Sequence, residues 1–288
     1  RVTVGVVFIA GSTKEKEYFN MLDNIYREIV NIMDKKEQAV LLTIIETEGS
    51  VPNTAGAKML LLKNGKTFGT IGGGSPEAVA LKKAEHIFQS RKPETVMLDL
   101  EMGKPGSVGS TCGGKVTIYM EPINMTEKIV IFGCGHVCME VYKLAKMLDY
   151  EVTVVDDRPD FANKERFPLA DRILCMDFVE SVKEITFDSH TCVILVTKGH
   201  KWDHVVLRAI LKKDEQPAYT GMIGSRTKVK TLFEQLISEG ISQDKLKRVY
   251  SPIGLDIGGD SPAEISVSIF AEILKVKYGG SGLSLKEM

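Results

Sequence analysis

A chain of 288 residues is long enough for two domains or one large one. A net charge of −1, with 43% hydrophobic and 26% charged residues, belongs to an ordinary globular protein and argues against a broad nucleic-acid or membrane surface. No apolar run reaches the roughly 18 residues needed to span a bilayer, and five cysteines in a chain too large to need staples read as free thiols of a reducing cytoplasm.

Val2 to Ala10 is apolar but short. It lacks a basic flank and a small-residue cleavage site, so it reads as a strand or a remnant rather than a signal peptide. From Lys14 to Lys35, Tyr18, Leu22, Ile25, Ile29 and Ile32 recur at steps of three or four, which predicts an amphipathic packing or dimerisation helix. Three strands follow, Ala39 to Glu46, Ala57 to Lys63 and Lys66 to Ile71. Asn64-Gly65 between the last two predicts a hairpin with both central residues at positive φ. Gly72-Gly73-Gly74 then runs into a helix ending near Ser90, with Ser75 as its expected cap and Pro76 in the first turn. Bare amides at such a helix start suit an anion, although a tight strand-to-helix turn has the same pattern.

The stretch from Glu101 to Gly114 lies between two predicted strands, Thr95 to Leu100 and Lys115 to Ile123. Five of its fourteen residues are glycine. A loop of this length in a compact domain is usually functional or disordered. Cys112 stands at its far end, followed by Gly113 and Gly114, which let other atoms approach the backbone. Pro122 to Glu127 is a polar link and marks the expected boundary between domains 1–125 and 126–288.

Beyond it the character changes. Ile129 to Phe132 reads as a strand buried on both faces. Gly133-Cys134-Gly135-His136 follows, then a helix to about Leu148 and a second strand ending at Asp156. Strand, glycine turn, helix, strand and acid are the context of a dinucleotide fingerprint. Gly133 and Gly135 can admit a phosphate, His136 can touch a ligand, and Asp156, about 23 residues after Gly133, stands near the ribose-binding position. Cys138 occupies the third glycine position. Strands from Arg172, Cys192 and Ala218, alternating with helices, predict a doubly wound parallel sheet. The fold class is therefore a small α+β N-terminal domain followed by a Rossmann-like domain.

Ser225 can cap the helix that follows Gly224. Its first turns carry Arg226, Lys228 and Lys230, cations at the positive end of a dipole that a bound anion would offset. Ser261 to Glu264 is a capping box before a helix, Pro262 to about Lys277, that reads as buried. Cys175 and Cys192 read as core thiols, and His86 and His190 as surface residues. The apolar helices at both ends suit a homodimer.

In combination these motifs resemble a known family. Gly49-Ser50-Val51-Pro52, Ala55 to Met59, Gly69 to Gly74 with Glu77, and Cys112-Gly113-Gly114 resemble the N-terminal domain of the xanthine dehydrogenase accessory (XdhC/CoxI) family. Ile131 to Val137, Val154 to Pro159, Glu165 to Pro168, Thr197 to His200, Gly221 to Arg226 and Ser251 to Gly258 resemble its Rossmann domain. The sequence departs from the family at Asn53, Pro76 and Cys138. The resemblance implies a non-catalytic chaperone that binds molybdenum cofactor, as molybdopterin or its cytosine dinucleotide form. It implies that the chaperone aids sulfuration by a cysteine desulfurase and delivers the cargo to a molybdenum hydroxylase apoenzyme. Cys112 is the candidate contact to molybdenum, a soft thiolate for a metal bearing sulfur ligands. Gly72, Gly73, Gly74, Gly133 and Gly135 would hold phosphate groups. The alternatives are an NAD(P)-dependent oxidoreductase using the Rossmann domain and a redox sensor using Cys112.

Overall fold

The computed structural model describes residues 13–35, 37–100 and 113–287. The apolar stretch Val2 to Ala10 and the loop carrying Cys112 lie outside the described residues. The chain groups into two compact units, Arg1–Met125 and Thr126–Met288. Among the described residues, no helix is long and apolar enough to cross a membrane.

The first unit runs α1 (Thr13–Asp34), β1 (Ala39–Gly49), β2 (Lys58–Leu62), β3 (Thr67–Gly69), α2 (Gly74–Ser90), β4 (Glu94–Asp99) and β5 (Gly114–Ile123). Its strands form one antiparallel sheet in the order β3-β2-β1-β5-β4. Strand side chains alternate between faces, and a helix covers each face. Val40, Leu42, Met59, Ile118 and Met120 pack with Ala80, Ala84 and Ile87 of α2, whereas Leu41, Leu60 and Leu62 pack with Ile25 and Ile32 of α1. That double cover explains why β1 and β2 read as continuous apolar runs. The hairpin at Asn64-Gly65 forms, but only Gly65 of the pair has positive φ, at 85°. Gly65 N–H donates to Leu62 O, and the Asn64 carboxamide oxygen accepts from Lys66 N–H, so a longer loop replaces the two-residue turn.

The second unit runs β6 (Lys128–Phe132), α3 (His136–Met147), β7 (Glu151–Asp156), β8 (Arg172–Cys175), α4 (Phe178–Glu184), β9 (Thr191–Leu195), α5 (His200–Leu211), β10 (Tyr219–Met222), α6 (Arg226–Ser238), α7 (Gln243–Leu246), β11 (Val249–Tyr250) and α8 (Pro262–Tyr278). Six parallel strands lie in the order β11-β10-β9-β6-β7-β8. Counted from β6, this is the doubly wound 3-2-1-4-5-6 order of a Rossmann fold. Helices α3 and α8 cover one face, over Ile129, Ile131, Val152 and Ile194. Helices α4, α5 and α6 cover the other, over Val130, Phe132, Val193 and Leu195.

Three expectations change here. Cys175 is exposed, because β8 is the edge strand. His190 is largely buried, with Nδ1 3.4 Å from a Glu127 carboxylate oxygen. Helix α8 buries only one side; Ile269, Phe270 and Ile273 face the core while Val267 is exposed. Its capping box forms, with Ser261 and Glu264 each bonding the other's backbone N–H. The elements missing from the sequence reading, α4, α7 and β11, are short. The Asp177 cap, accepting from Val179 and Glu180 N–H, was the available signal for α4.

Asp188 ties the starts of β6 and β9. It accepts from Lys128 Nζ at 3.0 Å, Thr191 Oγ1 at 2.7 Å and His190 N–H at 3.0 Å. Burial raises its pKa, but the bonds from Thr191, Lys128 and His190 outweigh burial and lower it to about 2. A depressed carboxylate contributes stability that is full above its unfolded pKa and is lost as pH falls toward 2. Asp188→Asn should therefore cost about 1–2 kcal/mol at pH 7, allowing for solvent screening, and should flatten the loss of stability between pH 4 and 2. Urea unfolding across that pH range measures both effects.

Candidate functional site

The Rossmann unit forks at the carboxyl end of β6. The chain leaves β6 through α3 toward β7, and it leaves the neighbouring strand β9 through α5 toward β10. Ligands of open α/β sheets bind at such a switch point. Gly133 makes the fork possible. Its φ is 99°, and a Cβ there would sit 2.4 Å from Val196 O and 2.7 Å from Thr197 Cα. Gly135 differs: it is the N-cap of α3 at φ −79°, gives no side-chain cap, and a Cβ there would meet nothing within 4 Å. One glycine lets two loops touch, and the other leaves backbone open to a ligand.

Asp156 ends β7 and is fully buried. One carboxylate oxygen accepts from Cys134 N–H at 2.8 Å and Arg158 Nη2 at 2.9 Å; the other accepts from Arg158 Nε at 2.8 Å and Arg158 N–H at 3.2 Å. Burial raises its pKa, yet the hydrogen bonds from Arg158 and Cys134 N–H outweigh burial and lower it. Arg158 lies over the Phe161 ring at 3.6 Å. The carboxylate read as a ribose contact is thus engaged by the chain's own donors. Asp157 bonds Lys198 Nζ at 2.8 and 2.9 Å, joining the loops after β7 and β9.

Arg166, quoted in the sequence only as part of a motif, belongs to this turn. Its Nη2 donates to Cys134 O at 3.1 Å, and its buried Nε has no hydrogen-bond partner among the described residues. With His136, Met139, Glu140 and the start of α8, it lines a cleft of about 470 Å³. Cys138 is buried as α3 packs on the sheet. Burial, together with a hydrogen bond with Cys134, pushes its thiol pKa up, so it serves as a small packing group rather than a reactive thiolate.

The other candidates lie elsewhere. Ser225 is the N-cap of α6 but makes no side-chain cap, and Arg226 opens that helix exposed to solvent. In the first unit the cap of α2 is Gly73, not Ser75. Glu77 Oε2 accepts from Thr70 Oγ1 at 2.5 Å, Ile71 N–H at 3.1 Å and Gly73 N–H at 3.0 Å, while Gly72 N–H donates to Thr70 Oγ1. Gly72 lies against Pro52, where a Cβ would meet Cγ at 2.7 Å. Much of the expected anion cradle is therefore filled by a carboxylate four residues into the next helix.

Cys112 lies outside the described residues, but the base of its loop does not. Leu100 N–H donates to Gly114 O at 2.8 Å, and Ser50 N–H donates to Gly113 O at 2.9 Å. A Cβ on Gly114 would lie 2.5 Å from Glu48 O, so this glycine permits a close approach of two backbones. Among the described residues, no group of three or more His, Cys, Asp or Glu could hold a metal ion.

The parallel sheet with its switch-point turn, joined in sequence to a helix-covered antiparallel sheet, defines a Rossmann-type protein with an appended α+β unit. A family model described as the XdhC Rossmann domain matches residues 129–273, and one described as the XdhC and CoxI family matches residues 32–99. The chain belongs to the XdhC and CoxI family. It is 30% identical over 261 residues to the uncharacterized protein YqeB of Escherichia coli (strain K12), covering 90% of this chain and 47% of that one. The chain thus spans about half of that relative's length. It is 21% identical to a probable xanthine dehydrogenase subunit of Bacillus subtilis (strain 168), covering 89% of this chain and 98% of that one. It is also 21% identical to the molybdenum cofactor insertion chaperone PaoD of E. coli (strain K12), covering 88% of each.

The two glycines of the turn should separate on substitution. Gly133→Ala should destabilise the protein by about 2–4 kcal/mol, from overpacking and a positive φ. Gly135→Ala should change stability by less than about 1 kcal/mol, since the backbone is ordinary and the space open. Thermal unfolding of the two variants checks the contrast.

Proposed function

We propose that this chain is an accessory chaperone for a molybdenum hydroxylase, binding molybdenum cofactor as cargo and releasing it to the apoenzyme. The family is linked to molybdenum-cofactor handling and is an accessory rather than a catalytic one. The observation that carries the reading is the Gly135 turn: half-buried backbone with open space beside it at a switch point, at a helix start without a side-chain cap. Such a start suits the phosphate that a pterin cofactor brings. In this reading the amides of Gly135 and His136 contact the phosphate or pyrophosphate, with Arg166 beside them. Arg166 also holds Cys134 O, so it fixes the turn while adding positive charge.

Cys112 is the proposed contact to molybdenum or its labile sulfur. A single thiolate suits a soft metal and still permits release, because one ligand does not close a cage. Beside Cys112 in sequence, Gly113 O and Gly114 O accept from Ser50 N–H and Leu100 N–H. Sulfuration would then require a cysteine desulfurase to approach this loop.

NAD(P) fits the residues less well. Its ribose would need the Asp156 carboxylate, which Arg158 and Cys134 N–H already engage on both oxygens. An oxidoreductase reading therefore has less support than the chaperone reading.

Anaerobic incubation with molybdenum cofactor, followed by desalting and counting of molybdenum and pterin per chain, tests the proposal. Near-stoichiometric retention by the wild type, lost in Cys112→Ser, is the expected result. Retention by Cys112→Ser but not by Gly135→Val keeps the function and moves the main contacts to the turn. No retention by the wild type, together with tight NADPH binding, overturns it.

A further inference from the structure

On the opposite face of the parallel sheet from α3 and α8, helices α5 and α6 line an open cleft of about 440 Å³. Lys201 and His204 line it from α5, and Thr227, Lys228, Thr231 and Gln235 line it from α6, over a floor that includes Leu232. Lys201 and Lys228 are exposed, and among the described residues no carboxylate pairs with either of them or with the adjacent Arg226. The nearby acids meet other side chains, two of them in the cleft lining. Glu239 carboxylate oxygens lie 3.2 Å from Nε2 of the lining residue His204 and 2.7 Å from Arg208 Nε, and Asp203 accepts from Thr197 Oγ1 at 2.6 Å.

These cations stand where electrostatics opposes them. Arg226, Lys228 and Lys201 occupy the first turns of helices, next to the positive ends of the dipoles; α6 has no acid in its first turn, whereas α5 has Asp203. Neither helix has a side-chain cap, since Gly199 and Ser225 make none. The lysine ammoniums and the Thr227 hydroxyl are hydrogen-bond donors that suit an acceptor-only, charged group, whereas Thr231 Oγ1 donates to Thr227 O at 3.3 Å and Gln235 Nε2 donates to Glu239 Oε1 at 3.3 Å. The volume is that of a site for one small molecule. An extended acidic segment would need a longer track than two helix turns supply.

We propose that the α5/α6 cleft binds a phosphate-bearing small molecule, with Lys201 and Lys228 as its cationic contacts and the hydroxyl of Thr227 as a further donor. This goes beyond the chaperone reading and does not depend on it, because the cleft shares no lining residue with the Gly135 turn. The site makes α5 and α6 responsive to a phosphorylated ligand whether or not cargo is bound.

The chain supplies its own reporter: Trp202, its single tryptophan, follows Lys201, whose Nζ lies 6.0 Å from the ring centroid. Titration of the whole chain with inorganic pyrophosphate at low salt, followed by calorimetry and Trp202 fluorescence, is the test. Saturable binding is expected, weakened about tenfold or more in Lys201→Ala/Lys228→Ala through loss of two charge-assisted contacts. Removing two charges elsewhere, in Lys82→Ala/Lys83→Ala of α2, should leave it unchanged. Tighter binding of cytidine diphosphate would identify a nucleotide as the ligand, and equal binding would identify the free anion; both support the site. Equal affinity in the wild type and the α5/α6 double variant overturns the proposal. So does binding of a glutamate-rich peptide with no binding of pyrophosphate. Thr227→Val, which leaves the charge intact, gives a second reading and should weaken pyrophosphate severalfold.

Discussion

The buried charge of Asp156 governs the geometry of the Rossmann unit. A carboxylate with no solvent exposure survives only if its oxygens are satisfied. Here the guanidinium of Arg158 and the N–H of Cys134 satisfy them. The N–H of Cys134 lies in the glycine turn, so the end of β7 sets the position of the segment that starts α3. Gly133 then fits beneath Val196 and Thr197, and Gly135 faces open space. Breaking a buried pair of this kind typically costs about 3–5 kcal/mol, so the turn is held as firmly as the core around it.

The same constraint engages the one acid that the dinucleotide pattern offers to a ribose. The spacing of Gly133, Gly135 and Asp156 matches the fingerprint, but the acid serves the protein rather than a ribose. Cys138 can replace the third glycine because its thiol packs without a charge, its pKa raised by burial. The fold is kept while Asp156 is spent on holding the turn.

Charge is arranged differently on the two faces of the parallel sheet. On the α3/α8 side, Arg166 is tied to the turn and α8 begins with a closed capping box. On the α5/α6 side, helix starts lack side-chain caps and lysines line the cleft without carboxylate partners among the described residues. A net charge near zero hides this asymmetry, because acids and bases balance over the whole chain but not over each cleft. In the first unit the opposite has happened, and Glu77 has filled the cradle that the glycines make.

Much was legible in the sequence. Apolar periodicity placed nearly every long element within a residue or two, since strands buried on both faces and helices with one apolar stripe leave different patterns. The alternation of strands and helices after residue 126 specified a doubly wound sheet, and the motifs pointed to the family. Short elements such as α4 and β11 escaped, because a few residues carry no period. The sequence could not say that Cys175 lies on an edge strand, that Glu77 folds back onto Gly73, or that Asp156 belongs to Arg158. Each of these depends on which atoms meet in space, and a carboxylate written one way in sequence can serve a ligand, a loop or a cation. Residue type and spacing determined the fold and the family; tertiary packing alone decided which polar groups were already satisfied, and so which remained to bind.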